Sequence, residues 1–401
     1  MKGALLKLEG DKAIWAVVAL LSLFSFLPVY SASSNLVYVV GNGTTIGHLL
    51  KHAMLLILGF GIIYSVHRIP VNYFKGLSLL ALPAVLLLLL YTLAQGTTIG
   101  GANASRWIRL PLVGITFQTS TLAAVVLMIY IASYLSKIRE KRIRFSESLL
   151  PLWLPVFFVL ILILPANFST AAILFSMVLT LCFLGGYPLK YLLGILGSGL
   201  VFLVLFMSLA KAVPGLFPNR VDTWMNRIES FWDGTDSEGD YQIEKAKIAI
   251  ATGGIIGNGA GKSVMKNFLP QSSSDFIFAI IVEEYGLVGG LSLLFFYLLL
   301  LYRILVVANA NQTVFGRLLV IGVGLPIVFQ ALINMAVAVE LFPVTGQTLP
   351  LISSGGTSIW MTCLAIGIVL SASRKQKVSQ EIQTEKTEQE TNPLEVLSGP
   401  I

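Results

Sequence analysis

Gly76-Leu77-Ser78-Leu79-Leu80-Ala81-Leu82-Pro83-Ala84-Val85-Leu86-Leu87-Leu88-Leu89-Leu90-Tyr91-Thr92-Leu93-Ala94-Gln95 contains no charged side chain. A helix of about 20 apolar residues, rising 1.5 Å per residue, crosses the roughly 30 Å of hydrocarbon in a bilayer. Main-chain amides in lipid must be satisfied inside their own segment, so a lone run of this kind reads as a helix. Runs of the same character recur near 13–31, 48–66, 117–136, 149–164, 168–184, 190–210, 276–301, 316–340 and 352–372. The fifth and sixth are short and separated by Pro165-Ala166-Asn167, where proline breaks a helix. The expectation is an all-α, polytopic integral membrane protein with about ten transmembrane helices. A large extracytoplasmic loop joins the seventh and eighth.

Composition agrees. The chain has 401 residues, 56% hydrophobic and only 12% charged, against roughly 25% charged in a soluble domain. That is too little charge to coat several soluble domains. The net charge of +7 does not point to nucleic acid, because the Lys and Arg residues gather in short loops, where they report orientation. Lys137-Ile138-Arg139-Glu140-Lys141-Arg142-Ile143-Arg144 is the densest such loop. Arg68 with Lys75, Lys190, Arg303 and Arg374-Lys375 mark others of the same parity, while 32–47 and 341–351 have no Lys or Arg. Both termini are therefore expected in the cytoplasm, with an uncleaved first span after Lys2, Lys7 and Lys12. The membrane region is expected to cover 1–377. The polar segment 378–401 lacks apolar periodicity and reads as a disordered cytoplasmic tail. Cys182 and Cys363 fall inside apolar runs and offer neither a disulfide framework nor metal spacing. His48 and His52, with no further ligand type nearby, do not make a metal site.

Two outward connections keep cations on the side where the orientation rule disfavours them. The shorter, about 96–116, holds Arg106 and Arg109. The longer, 211–275, holds Arg227, Lys262, Lys266 and Asp275 among many charges. A loop this long is usually functional or disordered, and this one contains a helical stretch, Tyr241 to Thr252, followed by Gly253-Gly254-Ile255-Ile256-Gly257-Asn258-Gly259-Ala260-Gly261-Lys262-Ser263. Gly261-Lys262-Ser263 is not a phosphate-binding P-loop, because Ile256 stands where the first glycine belongs. Glycines here would let backbone approach a headgroup or fold back on the membrane. Asp275 stands at the start of the eighth run, where a carboxylate can cap a helix or meet a lipid headgroup. Glu283 and Glu284 lie further along that run, where ionisable groups are usually functional or paired. At about 100° per residue only Glu283, about 80° round from Asp275, roughly shares its face.

These residues together resemble the SEDS family (shape, elongation, division and sporulation), most closely its cell-division branch. The strongest stretch is Leu269-Pro270-Gln271-Ser272-Ser273-Ser274-Asp275-Phe276-Ile277-Phe278-Ala279, with Glu283-Glu284-Tyr285-Gly286 after it. Tyr241-Gln242, Ala249-Ile250, Gly253-Gly254 and the glycines at 257, 259 and 261 match the family's outer loop. Asn334, Pro343-Val344-Thr345-Gly346, Leu349-Pro350 and Ser353-Ser354-Gly355-Gly356-Thr357-Ser358 match its last loop. Arg106-Trp107-Ile108 with Phe117-Gln118 matches its third. The chain departs from the family at Thr121, where a Glu is common, and at Ala124, where a Lys is expected. Ala166-Asn167-Phe168-Ser169-Thr170 stands for Pro-Asp-x-Gly-Thr, Ser354 for a Tyr, and Glu340 for a Gly. Roles tied to the missing charges do not carry over.

The resemblance implies peptidoglycan glycosyltransfer from lipid II at the outer face of the bacterial cytoplasmic membrane, at the division septum. Asp275 would be the catalytic carboxylate. Arg106, Lys266, Arg227 and Lys262 would meet the undecaprenyl diphosphate leaving group, and Glu283, Ser353 and Ser358 would support. No cofactor is demanded; a divalent cation, Mg or Mn, would serve the same charge. The implied partners are lipid II and the growing undecaprenyl-diphosphate-linked glycan, membrane lipids, a class B penicillin-binding protein transpeptidase and other division proteins. A lipid II flippase and a non-catalytic division scaffold are the alternatives. The lack of a visible internal repeat and the clustering of charge at the outer surface count against a transporter.

Overall fold

The computed structural model describes residues 8–38, 44–95, 107–109, 116–139, 144–212, 238–269 and 272–390. The apolar runs are helices: α1 Lys12–Tyr38, α2 Thr45–Val66, α3 Tyr73–Gln95 and α4 Thr119–Ile138. They continue with α5 Phe145–Ile163, α6 Phe168–Leu184, α7 Leu189–Ala212, α9 Ile277–Ala310, α10 Val314–Ala338 and α11 Ser358–Glu390. Between α7 and α9 lies the amphipathic α8, Glu238–Gly253. A hairpin of β1 Trp107–Arg109 and β2 Thr116–Gln118 precedes α4. Among the described residues eight helices are long and apolar enough to span a membrane. Two shorter apolar helices, Phe168–Leu184 and Ser358–Arg374, complete the ten segments expected. The protein is a polytopic, almost wholly helical membrane protein.

Local chemistry sets the boundaries. The fifth and sixth runs do separate after Ile163, and Asn167 starts α6 by accepting a hydrogen bond from the Thr170 amide at 3.2 Å. Asparagine caps a helix as well as aspartate does, so this departure from the family pattern keeps its structural job. Both cysteines are buried in the core. His52 is buried as a tie between α1 and α2, its Nε2 2.7 Å from Ser25 Oγ. The Ser25 hydroxyl donates its one proton to Ser22 O, so Nε2 must be the donor to Ser25. Where the sequence reads as a disordered tail from 378, the main chain of α11 continues as helix to Glu390. Glu, Gln and Lys propagate a helix that an apolar segment has already nucleated.

One end of the bundle is pinned by ion pairs. Arg303 on α9 pairs with Asp11, whose amide donates to Ser373 Oγ on α11 at 2.9 Å, and Arg374 meets Glu9 at 2.7 Å. The N-terminal residues and the end of the last span therefore lie at the same end of the bundle. From Asp11, α1 rises about 30 Å to Ser31. Ser31 donates to Glu284, which lies about 28 Å above Arg303 on α9. Two helices thus agree that Glu283 and Glu284 lie about one bilayer thickness from that end of the bundle. Because α9 has 34 residues, it is longer than the roughly 30 Å hydrocarbon is thick, and its first turns extend beyond Glu283 and Glu284.

Candidate active site

The opposite end of the bundle is assembled on the first half of α9. That helix breaks at Gly286 (φ 67°, ψ −170°), leaving main-chain groups without helical partners. The glycine-rich loop fills the break. Asn258 N and Gly259 N donate to the carbonyls of Glu283 and Glu284 at 3.0 and 2.9 Å. Leu287 N and Val288 N donate to Gly254 O and Ile255 O at 2.9 and 3.2 Å. A Cβ at Gly253, Gly257 or Gly286 would lie 2.1–2.3 Å from a carbonyl oxygen of the facing strand of backbone, which no side chain tolerates. The glycines let backbone approach backbone. Ile255 and Ile256, 71% and 83% exposed, point away from the protein beside the exposed Leu287 and Val288 of α9.

The paired glutamates hold the next turn. Glu283 is 1% exposed. It accepts from Ser263 Oγ, from Val264 N at 2.8 Å and from Met265 N at 3.3 Å, and so caps the 3-10 turn Met265–Asn267. Glu284 accepts from Ser31 Oγ and from Ser263 N at 3.3 Å, while its Oε2 is buried without a hydrogen-bond partner. Lys266 sits on the turn thus fixed: its amide donates to Ser263 Oγ at 3.1 Å, and its Nζ donates to Gly261 O at 2.8 Å and Ser31 Oγ at 3.1 Å. Glu283 therefore positions Lys266. Its oxygens are engaged in holding that turn. Lys262 is exposed beside Gly259.

Asp275 lies on a different support. It does not cap α9: the cap residue is Phe276, with no side-chain cap bond, and the helix begins at Ile277. The turn before α9 is instead gripped from outside. Asn334 of α10 donates both amide hydrogens, one to Asp275 O and one to Gln347 O, each at 2.7 Å. Ser353 Oγ donates to Ser274 O at 2.6 Å and accepts from Leu349 N at 2.7 Å. Ser354 reaches Ser273 O with its amide at 3.0 Å and its hydroxyl at 2.9 Å. The last outward loop, which supplies these serines, folds back into the bundle: Tyr297 donates to Pro350 O at 2.5 Å and Gln330 to Thr348 O at 2.8 Å. Irregular backbone survives at that depth because protein groups satisfy it. Leu349, Leu351 and Ile352 are buried. The carboxylate is half-buried and faces Gly346, where a Cβ would come to 3.5 Å of Oδ2.

The structure thus brings Asp275 and Ser353 together through the Ser274 carbonyl, and Lys266 and Glu283 through Ser263. Ser358, the first residue of α11, donates to Gly355 O in the turn just before the helix at 2.9 Å. Arg106 and Arg227 lie outside the described residues. Asn334, Gln330, Thr357 and Ser31 were not singled out as site residues in the sequence. Gln330 and Asn334 did leave a signal, two amides four residues apart in an apolar run.

The model of the FtsW/RodA/SpoVE family, described as cell cycle protein, matches residues 11–378. The chain is 32% identical over 371 residues to a probable peptidoglycan glycosyltransferase FtsW of Coxiella burnetii, covering 89% of this chain and 94% of that protein. It is 33% identical over 376 residues to its namesake in Geobacter sulfurreducens, covering 92% and 96%. Among solved structures, a chain from a study of the structural coordination of polymerization and crosslinking by a peptidoglycan synthase complex superposes with TM-score 0.69 at 27% identity, covering 92% of this chain and 98% of that one. The crystal structure of the rod shape determining protein RodA of Thermus thermophilus superposes with TM-score 0.65 at 26% identity and the same coverage.

Proposed function

The chain belongs to the FtsW/RodA/SpoVE family of cell cycle proteins, and from that premise we infer that it is a peptidoglycan glycosyltransferase polymerising lipid II at the outer face of the cytoplasmic membrane. The observation that carries this reading is the Asp275 turn. A half-buried carboxylate is held at the outer end of the bundle by Asn334, Ser353 and Ser354, all of which bond main-chain atoms. Its side chain keeps a face beside Gly346.

Asp275 acts as general base. It takes the proton from the acceptor sugar hydroxyl, the oxygen attacks the anomeric carbon of the lipid-linked donor, and the bond to undecaprenyl diphosphate breaks. Negative charge collects on the departing diphosphate, where a preorganised cation is most effective. Lys266, fixed by the Glu283 turn, supplies one, with Arg106, Arg227 and Lys262 available on the same side of the membrane by sequence. A divalent cation, Mg or Mn, would meet the same charge. Among the described residues no group of three or more His, Cys, Asp or Glu side chains gathers to hold one, and no step is assigned to it. The site works at the division septum beside a class B penicillin-binding protein transpeptidase and other division proteins, the transpeptidase cross-linking the strands made here. The synthase complex among its structural neighbours supports that pairing.

The test is glycan-strand formation by the purified protein from lipid II in detergent. Positioned acid–base groups contribute about 10²- to 10⁴-fold, so Asp275→Ala should slow polymerisation at least about 100-fold. Failure of the parent protein to form strands would remove the enzymatic reading and leave a flippase or a scaffold, and strands formed by Asp275→Ala at the parent rate would remove Asp275 as the base.

A further inference from the structure

Thr357 is completely buried between the last outward loop and the hairpin. Its hydroxyl donates to Thr116 O at 3.1 Å and accepts from Gln118 N at 3.3 Å. Those two groups flank Phe117 and leave the same edge of β2, since main-chain groups two residues apart on a strand point the same way. The other register partner of Phe117 is Ile108 of β1. One hydroxyl, using its single proton and a lone pair, does for that edge what a neighbouring strand would do. Three residues earlier in the same segment, Ser354 grips Ser273, and Ser353 grips Ser274, next to Asp275. Three residues of chain span at most about 11 Å. The hairpin and the Asp275 turn are therefore fastened to one short strut, within the reach of a single diphosphate-linked disaccharide. The hairpin also belongs to the short outward connection that retains Arg106 and Arg109 against the orientation rule.

We propose that Thr357 is a positioning residue: it sets the hairpin as the second wall of the substrate site and thereby sets the affinity for the lipid-linked diphosphate. The proposal rests on the polymerase reading above and divides labour within the strut. Ser353, Ser354 and Asn334 act on the carboxylate and hence on turnover. Thr357 acts on the hairpin and hence on binding.

Valine has the shape of threonine without the hydroxyl, and serine keeps the hydroxyl. Thr357→Val should raise the KM for lipid II about tenfold with kcat within about twofold, the signature of lost uniform binding, and Thr357→Ser should restore the parent value. Undecaprenyl diphosphate binding, measured without turnover, separates this proposal from the polymerase reading. If Asp275→Asn still polymerises while Thr357→Val binds undecaprenyl diphosphate more weakly, the base assignment falls and the wall stands. If Thr357→Val binds it like the parent, or Thr357→Ser is as impaired as Thr357→Val, or kcat falls with KM unchanged, the proposal is overturned. Should Thr357→Val not fold, Thr357→Ala, which removes the hydroxyl with less bulk, is held to the same outcomes.

Discussion

The glycine loop 253–261 and the Asp275 turn both bring irregular backbone to the outer half of α9, and they are held in opposite ways. The loop is bonded main chain to main chain, completing a helix that Gly286 interrupts. The turn is bonded by side chains from α10 and the last loop, which grip its main-chain carbonyls. The first arrangement has no room for a Cβ and no reacting group; it is architecture. The second concentrates its supports on carbonyls, and the half-buried Asp275 side chain lies beside Gly346. The same contrast separates two carboxylates on one stretch of chain. Glu283 spends its oxygens on Ser263, Val264 and Met265, while Asp275 faces a glycine.

The largest effect should follow from Gly286→Ala. The new Cβ would stand 2.2 Å from Ile255 O at a left-handed φ. Left-handed strain and the broken interlocking bonds together should cost at least about 3 kcal/mol. The expected outcome is loss of monodisperse protein on extraction in detergent. A monodisperse variant with an unchanged melting temperature would show that the loop is not spliced into α9.

The smallest effect, and the one with an unusual sign, concerns Glu340, which holds a left-handed φ of 60° at the end of α10. Its ion pair with Lys247 of α8 is 2.5 Å long but about half exposed at both partners, so it contributes about 0–1 kcal/mol. Relief of the left-handed conformation is worth about 1–2 kcal/mol. Glu340→Gly should therefore raise the melting temperature slightly or leave it unchanged, and Lys247→Ala should lower it slightly. A clear drop for Glu340→Gly would mean that the pair between α8 and α10 carries more than its exposure allows.

The spans were legible because lipid imposes length and apolarity directly on the sequence, and Pro165 with Asn167 marked the one ambiguous break. The helical stretch in the long loop was legible too, inside α8. The glycine splice was not, because it pairs residues about thirty apart in the chain, and no local periodicity records such a pairing. Glu283 and Glu284 were expected to be functional or paired, and both are bonded, though their partners on the glycine-rich loop and α1 could not be read from the run itself. Asp275 was singled out through its motif, but the cap position of α9 is Phe276, which makes no side-chain cap bond. Asn334, the residue that grips its main chain, was visible only as an amide in an apolar run.

The most direct test compares the two carboxylates in the same purified preparation, recording lipid II polymerisation per folded molecule alongside the melting temperature. Asp275→Asn should lose at least about 100-fold in rate and melt within a degree or two of the parent. Glu283→Gln should melt lower, since buried bonds to a charged group are worth about 1.5–3 kcal/mol each, and keep a rate much closer to the parent. The reverse pattern, an active Asp275→Asn protein and a stable but inactive Glu283→Gln protein, would contradict the assignment of Asp275 as the catalytic base.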